Sequence, residues 1–452
     1  MPLLFRSTNG QSPAVNLRTA FLCGIAPDRG LYFPQKFPAI TAAEIAGFGH
    51  LPYHDIAFQV LSKFTGGILP DADLKQICRE AYNFEVPVEP VKGRDRVHIL
   101  RLDHGPTASF KDFAARLMAR LMGRFLREDQ RNLTILTATS GDTGSAVAHA
   151  FHNVPGVRVI VLFPFAEVSA RQRKLMTVLG DNIRTVAVDG KFDDCQAMVK
   201  QAFADPTLKH IPLSSANSIN IGRLLPQSVY YFYAASRIAR PGEPVVFSVP
   251  SGNFGDMMGA IVARQMGLPV RKIVASVNDN DAFPRFLKNS VYEKVSPSRN
   301  SLSNAMNVGH PSNLARLVAV YGGQMDETGR IHQAPDVAAM RRDLYSSSIS
   351  DERTRAALKS AWTDHELLLE PHGAVAWQGF LDWEAEESLG DSPAAILETA
   401  HPAKFPEEIE KTLGFSPAVP EAIATAERLP EDFDRQPADY EAFRQYLLSR
   451  HS

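Results

Sequence analysis

From about residue 96 onward the sequence alternates short apolar runs with amphipathic stretches, and turns rich in Ser, Gly, Asn and Asp separate them. Residues 97–102 read as a strand. A helix is predicted over 110–128, with Phe113, Leu117, Leu121 and Phe125 on one face. The pattern repeats as strand 133–138, a helix carrying Val147, Ala150, Phe151 and Val154, strand 159–163, and helix 169–179 stopped by Gly180. It continues through 183–188, 193–204 and 211–213, and then through strand 245–249, helix 256–266 and strand 273–277. Such alternation closes into parallel sheets with helices on both faces. Residues 159–163 are apolar throughout, as a strand buried on both sides must be. Ligands of such sheets gather at the carboxyl ends of the strands, where the polar turns lie.

The 452 residues exceed what one core organises and predict two or three packed units. Residues 1–95 form a distinct, mostly helical opening, with helices expected near 41–46, 55–64 and 72–82 and with Pro87 and Pro90 at its border. With 48 basic against 50 acidic residues the formal net charge is −2, and no charge block speaks for nucleic acid or a membrane surface. An anionic ligand must then be held by local groups. Cys23, Cys78 and Cys195 are scattered without CxxC spacing, which excludes a disulfide framework or zinc site and fits a reducing compartment. The opening stretch reaches polar Ser7-Thr8-Asn9-Gly10 before a signal-peptide core could form, and no run approaches the ~20 apolar residues of a membrane span. The cytoplasm is expected.

Five turns carry candidate chemistry. In His104-Gly105-Pro106-Thr107-Ala108-Ser109-Phe110-Lys111-Asp112, the Ser109/Asp112 spacing is a capping-box signature. It places Lys111 in the first helical turn, at the positive end of the macrodipole, where its neutral form is favoured. A neutral lysine serves as a Schiff-base amine or general base; taken alone, Lys111 is equally a solvated lysine. Thr139-Ser140-Gly141-Asp142-Thr143-Gly144 and Pro250-Ser251-Gly252-Asn253-Phe254-Gly255-Asp256 each open a helix, where free N–H groups receive an anion or simply cap. Neither carries a nucleotide P-loop pattern. The stretch from Ser214 to Arg223 joins hydroxyls and amides to an arginine, a set suited to a phosphate. Glu398-Thr399-Ala400-His401-Pro402-Ala403-Lys404-Phe405 follows a strand at 394–397. Cys195, His310 and His372 have no partner at metal spacing, and no metal is expected.

Together with Asp28-Arg29-Gly30-Leu31-Tyr32-Phe33-Pro34, Leu224-Leu225-Pro226-Gln227, Gly309-His310-Pro311-Ser312-Asn313 and Glu370-Pro371-His372, these stretches resemble, in order and through nearly the whole chain, the threonine synthases. These are pyridoxal 5'-phosphate (PLP) enzymes of fold type II, the tryptophan-synthase-β-like group. The resemblance implies an α/β fold of two parallel-sheet domains plus the mostly helical N-terminal domain. The expected division is 1–95, a large PLP-binding domain of 96–127 and 217–452, and a small mobile domain of 128–216. It implies that Lys111 holds PLP as a Schiff base and acts in catalysis. Asp142 would stand beside the cofactor 3'-hydroxyl, where related enzymes often carry Asn. Gly252, Asn253, Phe254 and Gly255 would cradle the cofactor phosphate, and Thr399 would face the pyridine nitrogen. Ser140, Gly141 and Thr143 would bind the substrate carboxylate. Asn217, Ser218 and Arg223 would grip the substrate phosphate.

The implied reaction takes O-phospho-L-homoserine and water to L-threonine and phosphate. A lyase of the same fold releasing phosphate and 2-oxobutyrate, and a non-catalytic PLP or ligand-binding protein, are the alternatives. The expected partner is this small molecule, with no nucleic acid and no membrane; the chain would act as a monomer or homodimer.

Overall fold

The computed structural model describes residues 3–450; the first two residues of the expected N-terminal domain and the last two of the chain lie outside the described residues. Two parallel sheets dominate it. The larger has six strands in the order Leu344–Tyr345, Val270–Ser276, Val245–Pro250, Ala394–Glu398, Val97–Arg101 and Val88–Pro90, and only the last is antiparallel to its neighbour. The smaller has five, all parallel: Asp434–Pro437, Ile183–Asp189, Val157–Pro164, Leu133–Ala138 and Leu213–Ser215. Their central strands are buried along their whole length, which is why Leu133–Ala138 and Val245–Pro250 are almost uninterrupted apolar sequence.

Each predicted strand of the alternating region forms, within a few residues of its expected bounds. Helix Lys111–Asp129 buries Phe113, Leu117, Leu121 and Phe125, and ends at Gln130 in the left-handed region. Phe113 is the centre of an aromatic cluster with Tyr53, Tyr82, Phe84 and Tyr230, and this seats the N-terminal helices against helices Lys111–Asp129 and Val229–Ile238. Those helices span Ala42–Ala46, Tyr53–Thr65 and Asp71–Ala81, the first closed by a Thr41/Glu44 capping box.

The mostly helical opening region also carries a small antiparallel sheet of Val15–Asn16, Leu4–Ser7 and Tyr32–Pro34. Two expectations are corrected. Strand Asp434–Pro437, expected with the large domain of 217–452, instead pairs in parallel with Ile183–Asp189 in the smaller sheet. Behind it, Phe443, Tyr446 and Leu447 pack with Leu136, Ile160 and Met198. The apolar face of helix Tyr440–Ser449 finds its partner in the smaller lobe, and burial decides the assignment. The second concerns the Ser109/Asp112 capping box. The helix starts after Phe110 with no side-chain cap, and the buried Ser109 hydroxyl has no partner among the described residues. The Asp112 carboxylate turns back to accept from Thr107 N–H at 2.8 Å and Thr107 Oγ1 at 2.7 Å. Gly105 makes room for it, since a Cβ there would lie 2.5 Å from Asp112 Oδ2.

Candidate active site

The carboxyl ends of the two sheets face one cavity. Its walls include Lys111, Ser140, Asp142, Thr143, Asn217, Ser218, Arg223, 252–255 and Thr399. Of the sequence-predicted residues, Gly141 does not line it: its N–H donates to Thr139 Oγ1 at 2.9 Å, and a Cβ on it would meet Gln172 at 2.7 Å. With φ of 129°, Gly141 serves the turn that opens helix Asp142–Phe151.

Lys111 is the first residue of its helix, as expected, and its ammonium lies 4.3 Å from the centre of the Phe110 ring. Its Nζ is 3.5 Å from Asp142 Oδ2. Burial lowers its pKa, Asp142 opposes that, and the positive charges of Lys404 and Arg223 push it down again. Asp142 is itself buried, which raises its pKa. Lys404 first, then Lys111 and His372, more than reverse this and hold the carboxyl well below the ordinary range.

The 251–256 turn lines the cavity and is held in shape by its neighbours. Phe254 sits in the left-handed region (φ 62°), unusual for a bulky residue, and its ring packs edge-on against Phe283. A Cβ on Gly252 would lie 2.8 Å from Met306 Cα. Asn253 ties the turn down by donating to Ser218 Oγ at 2.7 Å and accepting from Ser312 N–H, while Asn313 donates to the Asn253 carbonyl. The 309–313 motif therefore acts as a brace for this turn. Asp256 begins the helix beside it, with both Tyr230 and Tyr231 hydroxyls on Oδ1. Burial outweighs these two bonds and pushes its pKa up to about 6.

Arg223 is buried and donates to the Ala216 carbonyl at 2.5 Å, and its Nε has no hydrogen-bond partner among the described residues. Burial alone lowers its pKa to about 10. Asn217 uses its amide to hold the Ala138 carbonyl at 2.9 Å, so it ties this segment to the smaller sheet. Thr399 accepts from Phe110 N–H through its carbonyl, and its hydroxyl on the cavity wall has no protein partner among the described residues.

Residues that sequence reasoning passed over complete the site. Lys404, fully buried, donates to Asp142 Oδ1 at 3.0 Å, and Gln172 donates to the same oxygen at 3.1 Å. His372 lines the cavity; its Nδ1 donates to Glu370 at 2.5 Å and its Nε2 accepts from Ala305 N–H at 3.1 Å. Glu398 lies next to that pair, and burial and then the Glu370 charge push its carboxyl pKa far up. Arg316 is fully buried and bonded to the carbonyls of Tyr32, Ser218 and Ile219 and to Asn313. Their signal in the sequence is a lone charge inside an apolar run, as in Leu314-Ala315-Arg316-Leu317-Val318 or Pro402-Ala403-Lys404-Phe405. His310 stays outside the cavity, paired with the Tyr292 hydroxyl. Cys195 is buried in the core, and among the described residues no cluster could hold a metal.

A buried lysine of lowered pKa, a left-handed turn at a helix N-terminus and a threonine hydroxyl on the wall of the same cavity fit an aldehyde cofactor bearing a phosphate and a ring nitrogen. Comparison with known proteins agrees. Residues 86–399 match the pyridoxal-phosphate dependent enzyme family; residues 4–82 match the threonine synthase N terminus, and 373–447 match the threonine synthase C-terminal region. Threonine synthase of Haemophilus influenzae is 40% identical over 94% of this chain and 95% of its own. That of Escherichia coli is 38% identical over 96% and 97%. The crystal structure of PLP-bound threonine synthase from Brucella melitensis superposes with a TM-score of 0.91 over 99% of both chains at 34% identity. The E. coli enzyme's structure gives 0.89 at 37% identity, covering 99% of this chain and 100% of its own. The chain is thus a PLP-dependent enzyme that belongs to the threonine synthase family.

Proposed function

We propose that this chain converts O-phospho-L-homoserine and water to L-threonine and inorganic phosphate. The observation that carries the proposal is the meeting, in one cavity, of Lys111, the helix-opening turn at 252–255 and the buried Arg223, whose guanidinium has no carboxylate in ion-pair range among the described residues and whose Nε has no partner among them. One anionic group suits the turn and a second suits Arg223, which is the charge pattern of a phosphorylated substrate bound beside a phosphorylated cofactor.

Lys111 would hold the cofactor covalently, the backbone N–H groups of 252–255 would receive its phosphate, and the Thr399 hydroxyl would serve its ring nitrogen. PLP, when bound, supplies an electron sink for charge developing on the substrate carbon. Lys111, as the free amine, would take the proton from the substrate α carbon and move protons at the neighbouring carbon. Ser140 and Thr143, on the turn shaped by Gly141, hold the substrate carboxylate at the N-terminus of helix Asp142–Phe151. Arg223, with Ser218, holds the phosphate and orients it as the leaving group; Asn217 keeps that segment in register with the smaller sheet. The smaller lobe, 128–216 together with the strand at 434–437, closes on the ligand and excludes water until the addition step. We place the enzyme in the cytoplasm, in keeping with its three unpaired cysteines.

Incubation of the PLP-loaded protein with O-phospho-L-homoserine tests this. Threonine and phosphate should appear in equal amounts. Phosphate with 2-oxobutyrate in place of threonine would assign the lyase reaction, and no phosphate release would refute both.

A further inference from the structure

Asp142 and Lys404 come from opposite sides of the cavity. Asp142 opens helix Asp142–Phe151, which follows strand Leu133–Ala138 of the smaller sheet. Lys404 ends the short turn Pro402–Lys404 that follows strand Ala394–Glu398 of the larger one. The carboxylate faces two lysines and serves them unequally. Oδ1 accepts from Lys404 at 3.0 Å and from Gln172 at 3.1 Å. Oδ2, 3.5 Å from Lys111 Nζ, has no hydrogen-bond partner among the described residues.

A lysine that must attack a carbonyl, or take a proton from carbon, has to spend time as the free amine. A bare buried carboxylate against it would fix it as the ammonium. With Lys404 bonded, Asp142 becomes half of a neutral polar pair, and the second ammonium also repels a charge on Lys111. The remaining groups facing Lys111 are Arg223 from helix Ile221–Leu224, Glu370 at the start of helix Pro371–Glu387 and Asp256 in the first turn of helix Gly255–Gln265. His372 faces Asp142. Lys404 alone among these cations is hydrogen-bonded to the Asp142 carboxylate.

We propose that Lys404 is a positioning residue of this site: it holds Asp142 in a neutral, hydrogen-bonded pair that stands in for an uncharged amide, and so leaves Lys111 free to lose its proton. The proposal rests on Lys111 being the cofactor lysine, and Lys111→Ala tests that separately, since the absorbance band of covalent attachment surviving in it would sink the assignment and not the pair.

The test uses the full-length chain, stripped of cofactor and titrated with PLP across pH, with the visible absorbance of covalent attachment as readout. Lys404→Met should move the attachment midpoint up by roughly one pH unit, a tenfold weaker attachment at a fixed pH below it. Asp142→Asn should move it down, because the Lys404 charge is then unopposed. The double variant Asp142→Asn/Lys404→Met should return it close to the parent value. A purely structural role would lower thermal stability without displacements of opposite sign. An unmoved or lowered midpoint in Lys404→Met, or single variants that shift the same way, would overturn the proposal. Should Lys404→Met fail to fold, the double variant decides: recovery of folded, PLP-attaching protein supports the pair, and failure to fold while Asp142→Asn folds refutes it.

Discussion

Lys111 and Arg223, on the walls of one cavity, are surrounded by charge in opposite ways. Around Lys111, cations and anions stand within bonding distance of one another, and Asp142 is shared between Lys111 and Lys404. Around Arg223 there is one carbonyl and, among the described residues, no carboxylate in ion-pair range. A buried cation without a counter-ion is costly. A protein retains one where an anion arrives with the ligand. Arg316, a few residues away in space, shows the alternative solution: a buried arginine whose donors are already taken by protein carbonyls. The contrast separates an arginine with a donor left over on the cavity wall from one whose donors hold the backbone.

The comparison can be broken at either end. The largest effect is expected from Lys111→Ala, which should abolish turnover and the absorbance band of covalent attachment while PLP still binds non-covalently to the 252–255 turn. Normal threonine production would refute the assignment. At the other end, Arg223→Ala loses one partner of a desolvated charge pair, worth about 2–5 kcal/mol. Its kcat/KM for O-phospho-L-homoserine should fall by roughly two orders of magnitude or more, with the absorbance spectrum unchanged. Arg223→Lys, which keeps the charge and loses the planar fork, should recover only part. Unchanged kinetics would place the substrate phosphate elsewhere.

Arg316→Met sharpens the contrast between the two arginines. It strands buried carbonyl acceptors, each costing about 1–3 kcal/mol. Thermal unfolding should therefore show a larger loss of stability for Arg316→Met than for Arg223→Met. The reverse order would mean that Arg223 is the structural one. The smallest effect belongs to Thr399→Ala, which removes one hydrogen bond to the ring nitrogen. PLP affinity, measured by equilibrium titration, should weaken by roughly 0.5–1.5 kcal/mol. An unchanged affinity and spectrum in both Thr399→Ala and Thr399→Asp would move Thr399 off the ring.

Much of this arrangement is legible in the sequence, for particular reasons. Short apolar runs and the 3.6-residue period locate the sheets and their helices, because burial on both faces favours apolar residues through 133–138 and 245–250, interrupted only by Thr134, Thr137 and Ser248. The turns at 139–144 and 251–256 announce themselves through glycine and hydroxyl residues at strand ends. The Ser109/Asp112 spacing misled, because a buried Asp112 gains more from two bonds to Thr107 than from capping a helix whose start is already packed. Lys404 and Arg316 were hard to weigh because their partners, Asp142 and the Tyr32 and Ser218 carbonyls, are remote in sequence. Strand Asp434–Pro437 was misassigned for a related reason: Asp-Arg-Gln-Pro has no strand-like composition, and only the ladder with Ile183–Asp189 makes it one.

That ladder has a bearing on how the protein is made. The other four strands of the smaller sheet have all been synthesised by residue 215, yet the fifth begins at 434. At the usual pace of a ribosome, ~5–20 residues per second, the intervening stretch takes on the order of ten seconds or more to emerge. Throughout that interval Ile183–Asp189 presents an open row of backbone donors and acceptors to whatever nascent chain or chaperone is nearby.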